Sequence, residues 1–170
     1  PDGSIYITDA AANAVLKRSK SGALSVVAQL PLVVNPLPFG PPMIHPVPTG
    51  IIYEKGNLLV TTLTGFPFPA SKASIYRVNP NGNFAVAQDG FTTLVDMARG
   101  NPHGNIVVQH GNFGPTGFIP NTGKLIWVDG SSATDIATGL NLPAGITQAN
   151  GHTWYITSLA EGSVSKVTYQ

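Results

Sequence analysis

VPTGIIYEKGNLLVTTLTGFPFPASKASIYRVNPNGNFAVAQDG, residues 47–90, contains four short apolar runs that are separated by turn residues. The runs cover residues 49–53, 57–62, 74–78 and 83–87. Each is rich in β-branched and aromatic residues and is bounded by Gly, Pro or Asn, a pattern typical of β-strands. Lys55-Gly56 and the Pro-Asn-Gly sequence ending at Gly82 accept the backbone angles of tight hairpin turns. Since no window shows a sustained helical period, the stretch predicts one four-stranded module.

The rest of the chain repeats this module, whole or in part. Equivalent second strands begin at Ile5, Leu58, Ile106 and Trp154, and the last three lie 48 residues apart. The proline-rich insertion at residues 31–48 lengthens the first interval to 53 residues. These spacings are close to the roughly 40–50 residues of a four-stranded propeller blade. The sequence therefore predicts an all-β chain built as part of a β-propeller.

The predicted blades are unequal at the two ends of the sequence. The first repeat has no first strand and the last has no fourth strand, so we expect 14 antiparallel strands in about three and a half blades. The predicted units are residues 1–31 (lacking the first strand), 47–90 (complete), 91–140 (complete) and 141–170 (lacking the fourth strand).

Composition excludes several classes of function. Hydrophobic residues make up 42% of the chain and charged residues only 10%, and the net charge of +1 argues against nucleic-acid binding. The chain has no cysteine, which rules out disulfides and thiolate metal sites. No apolar run is long enough to span a bilayer, because prolines interrupt the longest one. Residues 1–170 include no recognisable signal peptide. The lack of cysteine is compatible with any compartment, and because it avoids thiols it suits an extracellular or periplasmic protein.

Several motifs together carry a family resemblance. They are Val47-Pro-Thr-Gly50, Leu63-Thr-Gly-Phe-Pro-Phe-Pro69, Ile75-Tyr-Arg-Val78, Gly90-Phe-Thr92 with Asp96, and the opening segment from Ile5 to Val15. With these motifs the chain resembles the ScyD/ScyE-type propellers, which are named for the scytonemin pigment clusters of cyanobacteria and are related to NHL-like and gluconolactonase-like propellers. The resemblance implies a six-bladed ring about twice this length. The chain then corresponds to its C-terminal part, and an upstream half or a second copy of the chain is expected to close the ring.

The best candidate for a binding surface is a pair of loops that follow second strands. The loop at residues 65–69 carries Phe66 and Phe68 between prolines, which hold aromatic rings in place at low entropic cost. The loop at residues 110–118 carries His110, Asn112 and Phe113 and is expected on the same face. One interpretation is a partner surface or one wall of a ligand pocket, for which a small aromatic ligand is a candidate. The other is an apolar plug between blades.

Other polar residues are weaker candidates. Asp9 and Asn13 flank the hairpin after a second strand. They are either a metal or ligand contact at the top of a blade or turn residues whose short polar side chains bind backbone amides. Asp96 lies in a predicted innermost strand, where a carboxylate can face the central channel and bind a divalent cation such as calcium. No Gly-x-Ser-x-Gly motif supports a serine hydrolase, and no catalytic set of residues is identifiable.

Two functional hypotheses follow from these observations. The first is a secreted or periplasmic propeller that acts as a binding or assembly scaffold through the face carrying the 65–69 and 110–118 loops. The alternative is an enzyme or accessory protein of secondary-metabolite biosynthesis, or a lactonase-like hydrolase that uses a divalent metal. A cation in the central channel would favour the alternative.

Overall fold

The structure, a computed structural model, describes residues 3–169. Residues 1, 2 and 170 lie outside the described part, as do the corresponding ends of the units predicted at 1–31 and 141–170. Within residues 3–169 the chain forms strands and turns and no helix, in agreement with the sequence prediction. Accordingly, this part of the chain contains no helix that could cross a membrane.

The described residues form eighteen strands. In chain order they are β1 (Ile5–Asp9), β2 (Ala14–Arg18), β3 (Leu24–Gln29), β4 (Val33–Val34), β5 (Met43–Ile44), β6 (Pro48–Glu54), β7 (Asn57–Thr62), β8 (Ala73–Val78), β9 (Phe84–Phe91), β10 (Leu94–Arg99), β11 (Asn105–Gln109), β12 (Phe113–Gly114), β13 (Gly117–Phe118), β14 (Gly123–Asp129), β15 (Ser132–Leu140), β16 (Pro143–Asn150), β17 (Thr153–Ser158) and β18 (Ser163–Thr168).

Fourteen of these strands make four antiparallel sheets. Sheet 1 is β1-β2-β3, sheet 2 is β6-β7-β8-β9, sheet 3 is β10-β11-β14-β15 and sheet 4 is β16-β17-β18. This count and the three-four-four-three division match the prediction from the repeats. The remaining strands form two small hairpins, β4-β5 and β12-β13, which the sequence analysis did not predict.

The sheets stand side by side with their innermost strands neighbouring one another, and in sheet 1, which lacks a first blade strand, the innermost strand is β1. Strand β6 lies beside β1 on one side and β10 on the other, and β10 lies beside β16. Radial sheets with adjacent inner strands are the blades of a propeller, so the chain is a partial β-propeller. Hairpins after each second strand and connections between sheets share one side, here called the upper face. Connections between first and second strands, and between third and fourth strands, lie on the lower face.

Tight turns set the register of these sheets. Lys55 and Gly56 both have positive φ, 46° and 82°, which brings Glu54 opposite Asn57 in the β6-β7 ladder. Such paired positive angles suit the right-handed twist of neighbouring strands. At the next turn, Gly82 has a φ of 97° and its N–H donates to the carbonyl of Asn79 at 2.8 Å.

Three apolar clusters fill the spaces between successive sheets. Val15, Val60 and Tyr76 belong to the cluster between sheets 1 and 2. Ile75, Leu94 and Val107 belong to the one between sheets 2 and 3, and Ile106, Leu125 and Trp154 to the one between sheets 3 and 4. Burial of apolar area at about 25 cal/mol per Å² is the main force that holds these sheets together.

The outward faces of sheets 1 and 4 remain exposed. On sheet 1, Leu24 and Val26 are each 64% exposed and Ile5 is 53% exposed. On sheet 4, Tyr155 and Val164 are exposed as well. Within residues 3–169, β3 and β18 are edge strands, and so are the inner strands β1 and β16.

Candidate functional site

Five of the seven phenylalanines of the chain gather on the upper face, between sheets 2 and 3. This aromatic patch consists of Phe39, Phe66, Phe68, Phe113 and Phe118. Three of the five, Phe66, Phe68 and Phe113, were predicted from the repeat pattern as residues of one face. The structure brings those three together and adds two that sequence reasoning missed.

Phe68 occupies the centre of the patch. Its ring centroid lies 4.8 Å from that of Phe113, 5.3 Å from Phe118 and 6.3 Å from Phe66. The interplanar angles of these pairs are 54°, 48° and 90°, which are tilted or edge-on arrangements that aromatic quadrupoles favour. Phe68 is half-buried, and so are Phe113 and Phe118. The three rings therefore form a packed base for the patch.

Two rings stand at the solvent side of this base. Phe39 is 54% exposed and Phe66 is 53% exposed, and their centroids are 6.4 Å apart at an interplanar angle of 58°. Two exposed rings inclined in this way form an open corner. A flat aromatic molecule can stack on one ring while its edge meets the other.

Backbone hydrogen bonds hold the loop of Phe66 and Phe68 in place. The N–H groups of Leu63, Thr64 and Gly65 donate to the carbonyls of Val47, Pro46 and His45, at 2.9, 2.7 and 2.8 Å. The Phe68 N–H donates to the Gly65 carbonyl at 2.9 Å and closes the loop on itself. Because these bonds join residues 63–65 to the segment that leads into β6, the loop is fixed to sheet 2.

A buried asparagine orders the segment that carries Phe39. The Asn35 side chain is 9% exposed, and its Nδ2 donates to the carbonyls of Phe39 and Pro41 at 2.8 and 2.9 Å. Its Oδ1 accepts from the Leu37 N–H at 3.0 Å. Gly40 lets this segment approach the neighbouring loop, since a Cβ on Gly40 would lie 3.0 Å from Cδ of Pro67. The proline-rich insertion is therefore a built part of the patch.

The hairpin β12-β13 supplies the other two rings. Phe113 and Phe118 are directly opposite in its ladder, and their centroids are 5.2 Å apart. Directly opposed aromatic residues are a stabilising pair in antiparallel strands. The hairpin is held at its base because the Thr93 hydroxyl donates to the Gly111 carbonyl at 2.5 Å and the Ile119 N–H donates to the Asn112 carbonyl at 2.8 Å.

The two polar residues predicted for this site lie apart from its exposed surface. His110 is only 7% exposed, and its Nδ1 is 2.9 Å from the carbonyl of Pro143 in sheet 4. Its ring meets Phe118 edge-on with a centroid distance of 4.7 Å, so it supports the patch from below. Asn112 is exposed and borders a separate polar cleft of about 470 Å³ with Gln109 and Thr122.

Asp96 lies in the innermost strand β10, as the sequence analysis expected. Its Oδ1 accepts from the Met97 N–H at 2.8 Å and its Oδ2 from the Ile146 N–H of sheet 4 at 2.9 Å. Burial raises the pKa of Asp96 above its usual range, and the two N–H donors partly oppose that rise. The carboxylate thus ties sheet 3 to sheet 4.

A metal at Asp96 remains a prediction. Among residues 3–169, no three His, Cys, Asp or Glu side chains are grouped closely enough to hold a metal ion. Calcium also accepts backbone and amide oxygens, so a site there would depend on those groups around Asp96.

The turn residues Asp9 and Asn13 bind backbone groups. Asp9 Oδ1 accepts from the Ala12 N–H at 2.9 Å. Asn13 is 1% exposed, its Nδ2 donates to the Leu30 carbonyl at 2.8 Å and its Oδ1 accepts from the Val47 N–H at 3.1 Å. Asn13 therefore joins sheet 1 to the segment that enters sheet 2.

Comparison with known proteins supports the propeller fold but assigns no family and no function. A virginiamycin B lyase from Staphylococcus aureus superposes with a TM-score of 0.62 at 18% identity, over 98% of this chain and 52% of the lyase. A protein of unknown function from Bacteroides thetaiotaomicron superposes with a TM-score of 0.65 at 13% identity, over 97% of this chain and 44% of that protein. The chain thus spans about half the length of these structures. No protein-family model and no curated protein sequence matches it.

Proposed function

We propose that the chain is a binding scaffold of the propeller type whose aromatic patch takes a small aromatic ligand. The observation that carries the proposal is the pair of rings of Phe39 and Phe66, each more than half exposed on a base of packed aromatic residues. Exposed aromatic side chains that are held in position are typical of binding surfaces, because little conformational entropy is lost when they bind.

The exposure of Phe39 and Phe66 favours a ligand pocket over an inter-blade plug. A plug buries its aromatic side chains, and Phe113 and Phe118 would suffice for that purpose because β12-β13 already packs them against Phe68. Phe39 and Phe66 gain little from burial in this position. Exposure of two large apolar rings to water is unfavourable, and a ligand that covers them removes this apolar surface from water.

The ligand class follows from the chemistry of the patch. Its exposed rings are both phenylalanines, which offer no hydrogen-bond donor or acceptor. The surface therefore selects flat, apolar groups by shape and stacking. A secreted or periplasmic location is compatible with the lack of cysteine in the sequence. The substrate in the name of the Staphylococcus aureus neighbour carries no weight at 18% identity.

The test is a calorimetric titration with 1-naphthol as the aromatic probe. We expect the wild-type chain to bind it, and we expect Phe39→Ala combined with Phe66→Ala to weaken binding about tenfold, because each aromatic contact contributes about 0.5–1.5 kcal/mol. The matched control is Phe84→Ala, which removes a 39% exposed ring outside the patch. Equal affinities in the wild type and the double variant would refute the proposal.

A further inference from the structure

A second cleft, of about 500 Å³, opens on the lower face between sheets 2 and 3. It lies at the opposite end of the sheets from the aromatic patch. Its polar lining residues are Glu54, Lys55, Arg77, Gln88, Arg99, His103, Asn105 and Asp129. The volume is within the roughly 300–1,000 Å³ range of small-molecule sites.

Two amide oxygens of this cleft are buried without a hydrogen-bond partner. They are Oδ1 of Asn105 and Oε1 of Gln88. Asn105 is only 7% exposed, and Gln88 uses its Nε2 to donate to the Ser131 carbonyl at 3.3 Å. A buried acceptor without a donor costs about 1–3 kcal/mol, so two of them in one cleft require an explanation. A bound molecule with N–H donors supplies both missing bonds once the two amide groups, whose oxygens have almost no accessible surface, turn towards the cleft.

Three of the charged side chains around the cleft also lack an ion-pair partner. Across residues 3–169, Lys55 and Arg77 form no ion pair, and neither does Glu54. By contrast, Asp129 lies 3.3 Å from Nε2 of His103, and the Arg99 guanidinium donates to the Tyr53 carbonyl. The cleft thus presents two available cations, one available carboxylate and two unpaired amide oxygens. A ligand that carries both a carboxylate and a cation rich in N–H donors matches all of these groups.

We propose that the lower cleft is a site for a short zwitterionic peptide, of the size of a dipeptide. Its ammonium group, with three N–H donors, serves Asn105 Oδ1, Gln88 Oε1 and the carboxylate of Glu54. Its carboxylate group binds Arg77 and Lys55 by charge-assisted hydrogen bonds. The site is independent of the ligand proposed for the aromatic patch.

The equivalent position of the preceding repeat provides a matched control. Asn57 begins the second strand of sheet 2 as Asn105 begins that of sheet 3. Asn57 is half-buried, and its Nδ2 donates to the Lys55 carbonyl at 3.3 Å, whereas Oδ1 of Asn105 is unpaired. The repeat therefore places the same residue type at both positions, and only the one in sheet 3 has a buried, unused acceptor.

The experiment titrates the whole chain, labelled with ¹⁵N, with glycyl-L-leucine and, in parallel, with N-acetyl-glycyl-L-leucinamide, which lacks both charges. We expect the free dipeptide to shift the side-chain NH₂ signals of Asn105 and Gln88 and the blocked one to bind at least roughly tenfold more weakly, since hydrogen bonds to charged groups contribute about 1.5–3 kcal/mol. Asn105→Ala and Arg77→Gln should each weaken binding, while Asn57→Ala and Phe66→Ala should leave it unchanged.

Three outcomes would overturn this inference. One is equal binding of the free and blocked peptides, and another is the absence of any shift of the Asn105 and Gln88 signals at saturating dipeptide. The third is a crystal structure grown with the dipeptide in which an ordered water alone occupies Asn105 Oδ1. If Asn105→Ala unfolds the chain, Arg77→Gln still decides the question because Arg77 is exposed. Loss of 1-naphthol binding without loss of dipeptide binding, or the reverse, separates this site from the aromatic patch.

Discussion

Truncation of Phe66 should weaken ligand binding alone, whereas truncation of Phe68 should weaken both binding and stability. A fully buried Phe→Ala change costs about 3–5 kcal/mol, so the half-buried Phe68, with three aromatic neighbours, should cost about 2 kcal/mol. Phe66 is 53% exposed and contacts its neighbours at centroid distances above 6 Å. We expect Phe66→Ala to cost about 0.5 kcal/mol.

Urea unfolding, followed by circular dichroism, measures these two costs from the change in midpoint at constant slope. The same proteins are then titrated with 1-naphthol. Phe66→Ala should lose affinity while keeping stability, and Phe68→Ala should lose both, because the exposed rings rest on Phe68. Equal destabilisation by the two changes would refute the division of the patch into a packed base and an exposed corner.

Two further changes test the contacts that join the sheets. Asn13→Ala leaves the Leu30 carbonyl and the Val47 N–H without partners and should lower the free energy of unfolding by about 2–4 kcal/mol in urea titrations, and a loss below about 0.5 kcal/mol would contradict the assignment. Asp96→Asn tests the raised pKa of Asp96. The folded chain holds the Asp96 proton to a higher pH than the unfolded chain does. The contribution of this proton to the free energy of unfolding is therefore complete below about pH 4 and declines as pH rises through the folded pKa. The stability of the wild type relative to Asp96→Asn should therefore fall as pH rises above about 4, and a relative stability that grows with pH would contradict the raised pKa.

The architecture was predictable because its signals are local. Alternating apolar residues and the turn at Lys55-Gly56 specify strands and register within a few residues, and both positive φ angles are present in the structure. The end of β9 was less predictable. The sequence analysis ended that strand at residue 87, whereas it continues to Phe91, because a register shift lets Phe91 pair with Ala73.

The site was only partly predictable because distant residues build it. Phe66, Phe68 and Phe113 follow second strands, so the repeat places them on one face. Phe39 lies in a long insertion whose path depends on Asn35, although connections between sheets share that face and provide a usable signal. The burial of His110 depends on a carbonyl 33 residues away, which no local pattern reports.

The unpaired amide oxygens of the lower cleft could not be predicted from the sequence either, because residues distant in the chain surround them. Asn105 and Asn57 occupy the same position of two repeats, and their different surroundings arise from the packing between sheets. Only coordinates distinguish a satisfied amide from an unsatisfied one.

The central claim, that the aromatic patch binds an aromatic ligand, is tested most directly by ¹⁹F NMR of the chain labelled with 4-fluorophenylalanine. The chain has seven phenylalanines, of which five form the patch, and Phe84 and Phe91 lie outside it as internal references. On addition of 1-naphthol the account predicts that the signals of Phe39 and Phe66 move most and those of Phe84 and Phe91 stay in place. Signals that all stay in place, or a Phe84 signal that moves as far as that of Phe66, would contradict it.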